Sequence, residues 1–170
     1  EIFMHLEPLL GGPLHHHIRE APGGCLPINI VQTYSAELIA ALFYLYEQKC
    51  IHRDIKANNC VLDASGHIKL CDFDKAKSFS PSLSLSSPSK ETVSESYISY
   101  TIVGTPHCMA PEIIARSGYS FKVDWWSLGI LIYEMYTGSP PIRVGWRGGE
   151  REREREKDSR AVFVSVSLYS

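Results

Sequence analysis

Apolar residues recur along this chain at two periods, and the period decides which element each stretch predicts. Between residues 28 and 48, Ile30, Val31, Tyr34, Leu38, Ala41, Leu42 and Leu45 return at three- and four-residue intervals, the stripe of a helix laid on a core. That helix reads as scaffold. Downstream, residues 60–63 and 67–71 alternate apolar and polar side chains on either side of Ala64-Ser65-Gly66, the period and turn of a β-hairpin. Residues 120–135 are strongly apolar, so a second long helix is expected there, buried. Near the start, residues 2–6 form a short apolar run halted by Glu7-Pro8 and Gly11-Gly12, a strand followed by a break.

The stretches between these elements carry other signals. Pro22-Gly23-Gly24 interrupts the chain ahead of the first long helix. Residues 78–99 are dominated by Ser, with Pro81 and Pro88 and few large apolar groups, a composition that cannot offset the entropy of ordering. A mobile loop is expected, either a regulatory phosphorylation tract or a tolerated surface insertion. Residues 150–158 alternate in charge; on a helix this puts opposite signs at i,i+3 but like signs at i,i+4, so solvated coil is the expectation. His15-His16-His17 are successive, and successive helical side chains diverge by about 100°, so they do not converge on one metal ion.

Composition narrows the function classes. A chain of 170 residues with 44% hydrophobic content can bury one core. The net charge of −2, with no basic face, argues against a nucleic-acid partner. Five cysteines, odd in number and without a C-x-x-C pair, suit reduced thiols in a cytoplasmic setting better than a disulfide frame or zinc site. No uninterrupted apolar run approaches the ~18 residues of a membrane span, so no membrane partner is expected. The chain opens on Glu1 rather than Met, so its natural N-terminus is expected to lie further upstream.

The chemistry concentrates in Ile51-His52-Arg53-Asp54-Ile55-Lys56-Ala57-Asn58-Asn59, followed by Asp72-Phe73-Asp74. Asp54 can accept the proton of a hydroxyl nucleophile, and Lys56 can neutralise charge on a transferring phosphoryl group. Asn59 offers a hard oxygen to Mg²⁺. Further on come Gly104-Thr105-Pro106, Ala110-Pro111-Glu112 and Asp124-Trp125-Trp126-Ser127-Leu128-Gly129. In this order the motifs resemble the catalytic loop, the metal motif, the end of the activation segment and the following helix of Ser/Thr protein kinases. The Asp-Trp-Trp-Ser-Leu-Gly run is similar to the group containing cyclic-nucleotide-dependent and ribosomal-protein kinases, the AGC group.

That resemblance implies an α+β, protein-kinase-like fold, present in part: a mainly helical large lobe with a small β-hairpin. The small lobe is expected to be absent, because no G-x-G-x-x-G, V-A-I-K lysine or partner-helix glutamate is found. Residues 1–142 carry the likeness, with the Ser-rich stretch as an activation-segment insertion and 143–170 as a charged tail foreign to the fold. The implied function is ATP-dependent phosphoryl transfer to Ser/Thr hydroxyls of proteins, feeble in this stretch alone; a non-catalytic, pseudokinase-like binding module is the rival.

The resemblance also implies roles residue by residue. Asp54 is the base, Lys56 the phosphoryl-stabilising cation and Thr105 the orienter that bridges them. Asn59 and Asp72 hold Mg²⁺. The hinge places the Glu7 carbonyl and the Leu9 amide against adenine, with Leu6 as gatekeeper and Cys60 and Leu62 as the apolar floor. Thr101 is the phosphosite for an upstream kinase, its phosphate pairing with Arg53. Asp124 holds the catalytic-loop backbone from below, and Glu134 reads basic substrates. Asp74 stands where Gly is usual, and Glu112 lacks the Arg that should pair with it, leaving it a candidate for an uncompensated buried charge.

Overall fold

The computed structural model describes residues 6–79 and 97–142. The expected strand at 2–6 apart from Leu6, residues 80–96 of the Ser-rich stretch and the tail lie outside the described residues.

The elements run β1 (Gly12–Pro13), α1 (Leu14–Glu20), α2 (Ile28–Glu47), β2 (Cys50–Ile51), β3 (Cys60–Leu62), β4 (Ile68–Leu70), β5 (Lys77–Ser78), α3 (Pro111–Ile114) and α4 (Lys122–Thr137). Both long helices therefore fall where the 3.6-residue stripe of α2 and the apolar run of α4 put them. Val31, Leu38, Leu42 and Leu45 of α2 are buried with Leu128, Leu131 and Met135 of α4. Each such side chain contributes roughly 1.5–3 kcal/mol by leaving water, so this helix pair is the frame. α2 is also long and apolar enough to cross a membrane by length and composition, yet its buried stripe packs on α4 and β4. Gly138 ends α4 at φ 79, its N–H bonding the Glu134 carbonyl at 2.8 Å. A Cβ there would strike the carbonyl of Gly24, so glycine is required both for the left-handed cap and for close approach.

The expected hairpin is β3–β4, antiparallel, with Cys60 opposite Leu70 and Leu62 opposite Ile68. Its turn is closed by Asp63, whose Oδ1 accepts the N–H groups of Ser65 (2.9 Å) and His67 (3.0 Å), an Asx-type turn. β1 adds a third antiparallel strand, making the order β1-β3-β4. Gly-Pro reads as a break in sequence, but a two-residue edge strand tolerates a proline that donates nothing. β2 and β5 pair separately, beside a second core of Ile51, Phe79, Ala110, Ile113, Tyr119 and Val123. The catalytic-loop motif thus leaves β2 and runs into β3, clamped between the two cores.

Candidate active site

Asp124, in the first turn of α4, fixes the loop. Its Oδ2 accepts the His52 backbone N–H at 2.7 Å and its Oδ1 that of Arg53 at 2.8 Å. The carboxylate is buried, and that burial pushes its pKa up to about 6, against the two N–H bonds that pull it down. With its amide pinned, Arg53 adopts φ 70, a left-handed backbone that costs a non-glycine residue roughly 1–2 kcal/mol. The strain turns the chain so that Asp54 points back into the loop.

His52 reinforces the turn from its side chain. Its ring Nδ1 accepts the Asp54 N–H at 3.3 Å, and Nε2 faces the Cys71 carbonyl at 3.0 Å. A carbonyl only accepts, so the proton sits on Nε2 and the ring is neutral. Burial lowers its pKa, consistent with that form. Cys71 N–H in turn donates to the Asn59 carbonyl at 2.8 Å, which stitches the segment bearing Asp72 to the loop bearing Asp54 and Asn59.

The Asp54 side chain is fully buried and surrounded by donors. Thr105 Oγ1 gives its proton to Oδ1 at 2.6 Å, while Lys56 Nζ reaches Oδ2 at 2.8 Å and Thr105 Oγ1 at 2.9 Å. Asn59 Nδ2 donates to the Asp54 carbonyl at 2.9 Å and to Oδ2 at 3.1 Å. Lys75 Nζ donates to Oδ2 at 2.6 Å. Burial alone would raise the carboxyl's pKa, but the bonds from Lys56, Lys75 and Thr105 outweigh it and hold the group well below the ordinary range. It is a carboxylate at any physiological pH. Thr105 can reach it because Gly104, at φ 123, lies against the Arg53 carbonyl, where a Cβ would come within 2.7 Å.

Asp72 lies one residue past that stitch and is exposed, at φ 63. Phe73 sets its ring edge against His52 at 4.7 Å between centroids. Asp74 is absent from the residues with positive φ, so the freedom that glycine would bring at this place goes unused here. Both Asn59 bonds use its amide nitrogen, leaving the oxygen for a hard cation. Among the described residues no three His, Cys, Asp or Glu side chains form a metal cluster. One amide oxygen and one exposed carboxylate suit Mg²⁺, which takes few protein ligands and completes its shell with water and phosphate oxygens.

The hinge residues are irregular chain: Glu7 is exposed and paired with Lys69 at 3.0 Å, Leu9 is half-buried and Leu6 is exposed. Gly11 N–H donates to the Leu62 carbonyl at 2.9 Å, which draws the hinge onto β3. Cys60 and Leu62 are the exception to the sequence reading. Both are buried in the main core, at 0% and 4% exposure, so no ring can rest on them. Period-2 alternation turns Val61, half-buried between them, to the other face. Burial also pushes the Cys60 thiol up to about 12, leaving it inert.

Arg53 lies near Thr101 through an intermediary. Its Nη1 donates to the Tyr119 hydroxyl at 3.2 Å, and that hydroxyl donates to the Thr101 carbonyl at 2.6 Å. Thr101 itself is exposed. Glu134 is half-buried, and burial raises its pKa. Glu112 is half-buried and makes no ion pair among the described residues, so its desolvation is milder than the sequence suggests. His17 bonds the Gly11 carbonyl at 2.7 Å, a structural role. Two contributors escaped the sequence reading. Alternation separates Val61 from Cys60 and Leu62 without saying which face of β3 meets the core; Lys75 followed no spacing rule, since its bond spans a fold-dependent turn.

A buried carboxylate braced by a lysine, a threonine and an asparagine, stitched to an Asp-Phe pair beneath a short hairpin, defines the catalytic-loop half of a protein kinase large lobe. The comparisons agree. The profile of the protein kinase domain family matches residues 1–166, past Ile142, where the motif resemblance stops. The chain is 42% identical over 141 residues to "Protein kinase 3" of Dictyostelium discoideum, covering 83% of this chain and 15% of that protein. It is 39% identical over 142 residues to "Serine/threonine-protein kinase gad8" of Schizosaccharomyces pombe, covering 84% and 22%. It is 38% identical over 142 residues to "Ribosomal protein S6 kinase beta" of Caenorhabditis elegans, covering 84% and 23%. The chain belongs to the protein kinase family, and its relatives are AGC-group Ser/Thr kinases. It spans between 15% and 23% of the length of these three relatives.

Proposed function

We propose that this chain supplies the base side of a site for ATP-dependent phosphoryl transfer to Ser/Thr hydroxyls of proteins, as the hinge and upper large lobe of a kinase domain over residues 1–142. The observation that carries the reading is the Asp54 carboxylate, buried and ionised with Lys56 and Thr105 on either side.

Asp54 takes the proton of the acceptor hydroxyl, and its four-way bracing spares reorganisation when that proton arrives. Lys56 is the cation beside the hydroxyl and the transferring group, and Thr105 fixes both side chains in register. Mg²⁺, held by Asn59 and Asp72, would neutralise phosphate charge. The Glu7 carbonyl and the Leu9 N–H meet the adenine edge, and Val61 replaces Cys60 and Leu62 as the floor. A phosphate placed on Thr101 by an upstream kinase draws Arg53 across from Tyr119. Lys56 favours Ser/Thr over Tyr acceptors, because tyrosine kinases lack it.

Alone, the chain transfers phosphate feebly, since loss of one preorganised charge stabiliser costs about 3 kcal/mol in the transition state and no phosphate-covering loop is found. The test is transfer of labelled phosphate to Ser peptides by the protein that carries this domain. Asp54→Asn is expected to lower the rate by about 10²–10⁴. Undiminished transfer in that variant removes the proposal.

A further inference from the structure

Residues 100–104 carry Thr105 to Asp54, and they belong to no helix or strand. Among the described residues none of the five makes a backbone–backbone hydrogen bond. What orders such a stretch is an accounting question. Among the described residues one hydrogen bond reaches it: the Tyr119 hydroxyl donates to the Thr101 carbonyl at 2.6 Å.

The surroundings suit that oxygen to the task. Ahead of the stretch, Ser99 N–H donates to the Tyr119 carbonyl at 2.8 Å and Tyr119 N–H to the Ser99 carbonyl at 2.9 Å. Tyr119 therefore ties the segment twice, by its backbone and by its hydroxyl. Gly118 lets the segment lie so close, because a Cβ there would come within 2.9 Å of the Tyr100 ring. The Tyr119 ring is buried in the second core with Ile113 and Val123, which holds the hydroxyl still. Its oxygen also accepts Arg53 Nη1 at 3.2 Å, and a cationic donor on that oxygen strengthens the O–H bond it gives to Thr101. Arg53 spends its other side-chain bonds on the carbonyls of Lys75 at 2.5 Å and Ala76 at 3.4 Å. Among the described residues every acceptor of the guanidinium is thus neutral. At the far end Gly104 lies against the Arg53 carbonyl, and Thr105 Oγ1 donates to Asp54 at 2.6 Å. Arg53 accordingly grips the stretch at both ends, through Tyr119 at Thr101 and through its own backbone at Gly104.

Resting on the kinase reading above, we propose that the Tyr119 hydroxyl is a positioning group for phosphoryl transfer, holding residues 100–104 on Arg53 so that Thr105 meets Asp54 while Thr101 carries no phosphate. Every link in this relay is an atom of the unmodified chain. A phosphate on Thr101 offers Arg53 an anion in place of the hydroxyl, so it substitutes for the Tyr119 tie rather than adding to it.

Tyr119→Phe removes the oxygen and keeps the ring in the core; circular dichroism verifies folding, and Tyr119→Met takes its place should that variant not fold. On the full chain, chymotryptic cleavage after the exposed Tyr100, read by mass spectrometry, is expected to run about tenfold faster in the variant, as one lost hydrogen bond implies. Cleavage after Tyr136, exposed on α4, is expected at an unchanged rate. No change at Tyr100, or an equal rise at Tyr136, overturns the proposal. In the protein that carries this domain, Tyr119→Phe combined with Thr101→Ala is expected to transfer labelled phosphate from Mg-ATP to Ser peptides about tenfold more slowly than Thr101→Ala alone. Combined with Thr101→Glu, which sets a carboxylate beside Arg53, it is expected to cost no more than about twofold. Equal losses in the two backgrounds mean a merely structural role, and no loss with Thr101→Ala means no role; either overturns the proposal. The kinase reading is judged separately, by whether Asp54→Asn abolishes transfer.

Discussion

Removing the carboxylate at Asp124 should destabilise the chain more in acid than at neutral pH. Asp124→Ala strips the acceptor from two buried N–H groups, those of His52 at 2.7 Å and Arg53 at 2.8 Å. Leaving a buried donor unmet costs about 1–3 kcal/mol, so the pair is worth about 2–6 kcal/mol. Against this stands the charge. Burial raises the pKa from 3.8 to about 6, and two units correspond to about 3 kcal/mol by which the fold disfavours the ionised form. A raised carboxyl pKa means that the folded chain binds the extra proton, so the group's stabilising contribution is complete below about 4 and is lost as pH rises through about 6. At pH 7.5 the substitution relieves the ionic penalty while orphaning the donors, for a net change between a gain of about 1 and a loss of about 3 kcal/mol. At pH 4.5 the wild-type group is protonated, no penalty is relieved, and the loss grows by up to about 3 kcal/mol. Urea unfolding of both proteins at the two pH values reads the difference. A loss that is equal at the two pH values, or smaller in acid, would refute the reasoning and show that the two N–H bonds dominate the burial.

Thr105→Val removes one hydrogen bond each from Asp54 and Lys56, and the phosphoryl-transfer rate of the intact kinase should fall about tenfold, as a net loss of ~1.4 kcal/mol implies. Gly104→Ala sets a Cβ within 2.7 Å of the Arg53 carbonyl at φ 123; a loss of about 1–3 kcal/mol in thermal unfolding is expected, and unchanged stability counts against the packing described. Leu131→Ala, in the α2–α4 interface, should cost about 2–5 kcal/mol in urea. Val61→Ala should weaken nucleotide binding with little effect on stability, whereas Cys60→Ala should do the reverse, and calorimetry with denaturation separates them.

How much of this was legible beforehand depended on whether a feature was local. The α2 stripe is a periodic signal and the apolar run of α4 a compositional one, and both helices begin and end within about two residues of the pattern. The hairpin follows from alternation plus a turn, and the Asp54, Lys56, Asn59 and Thr105 constellation from motifs in fixed order. Alternation could not say which face of β3 meets the core, however. The expectation of Cys60 and Leu62 as the adenine floor put on the nucleotide side a face that is buried in the main core with residues of α1 and α2. β2 and β5 are two residues each and pair across 28 positions, Cys50 with Ser78; strands so short carry no period. Lys75 meets Asp54 only because the segment after Cys71 turns back over the loop. Positive φ falls not at Asp74 but at Arg53 and Asp72, Arg53 being held there by its N–H bond to the Asp124 carboxylate.

The central claim is that Asp54, Lys56, Asn59 and Asp72 surround a nucleotide's terminal phosphate and its divalent ion. Paramagnetic broadening of amide signals by Mn²⁺ with ATP reads the ion's position directly. The account predicts broadening centred on Asn59 and Asp72, reaching Asp54 and Lys56, and abolished by Asp72→Asn. Broadening centred elsewhere, for instance on His15, His16 and His17, or left intact by that substitution, would contradict it.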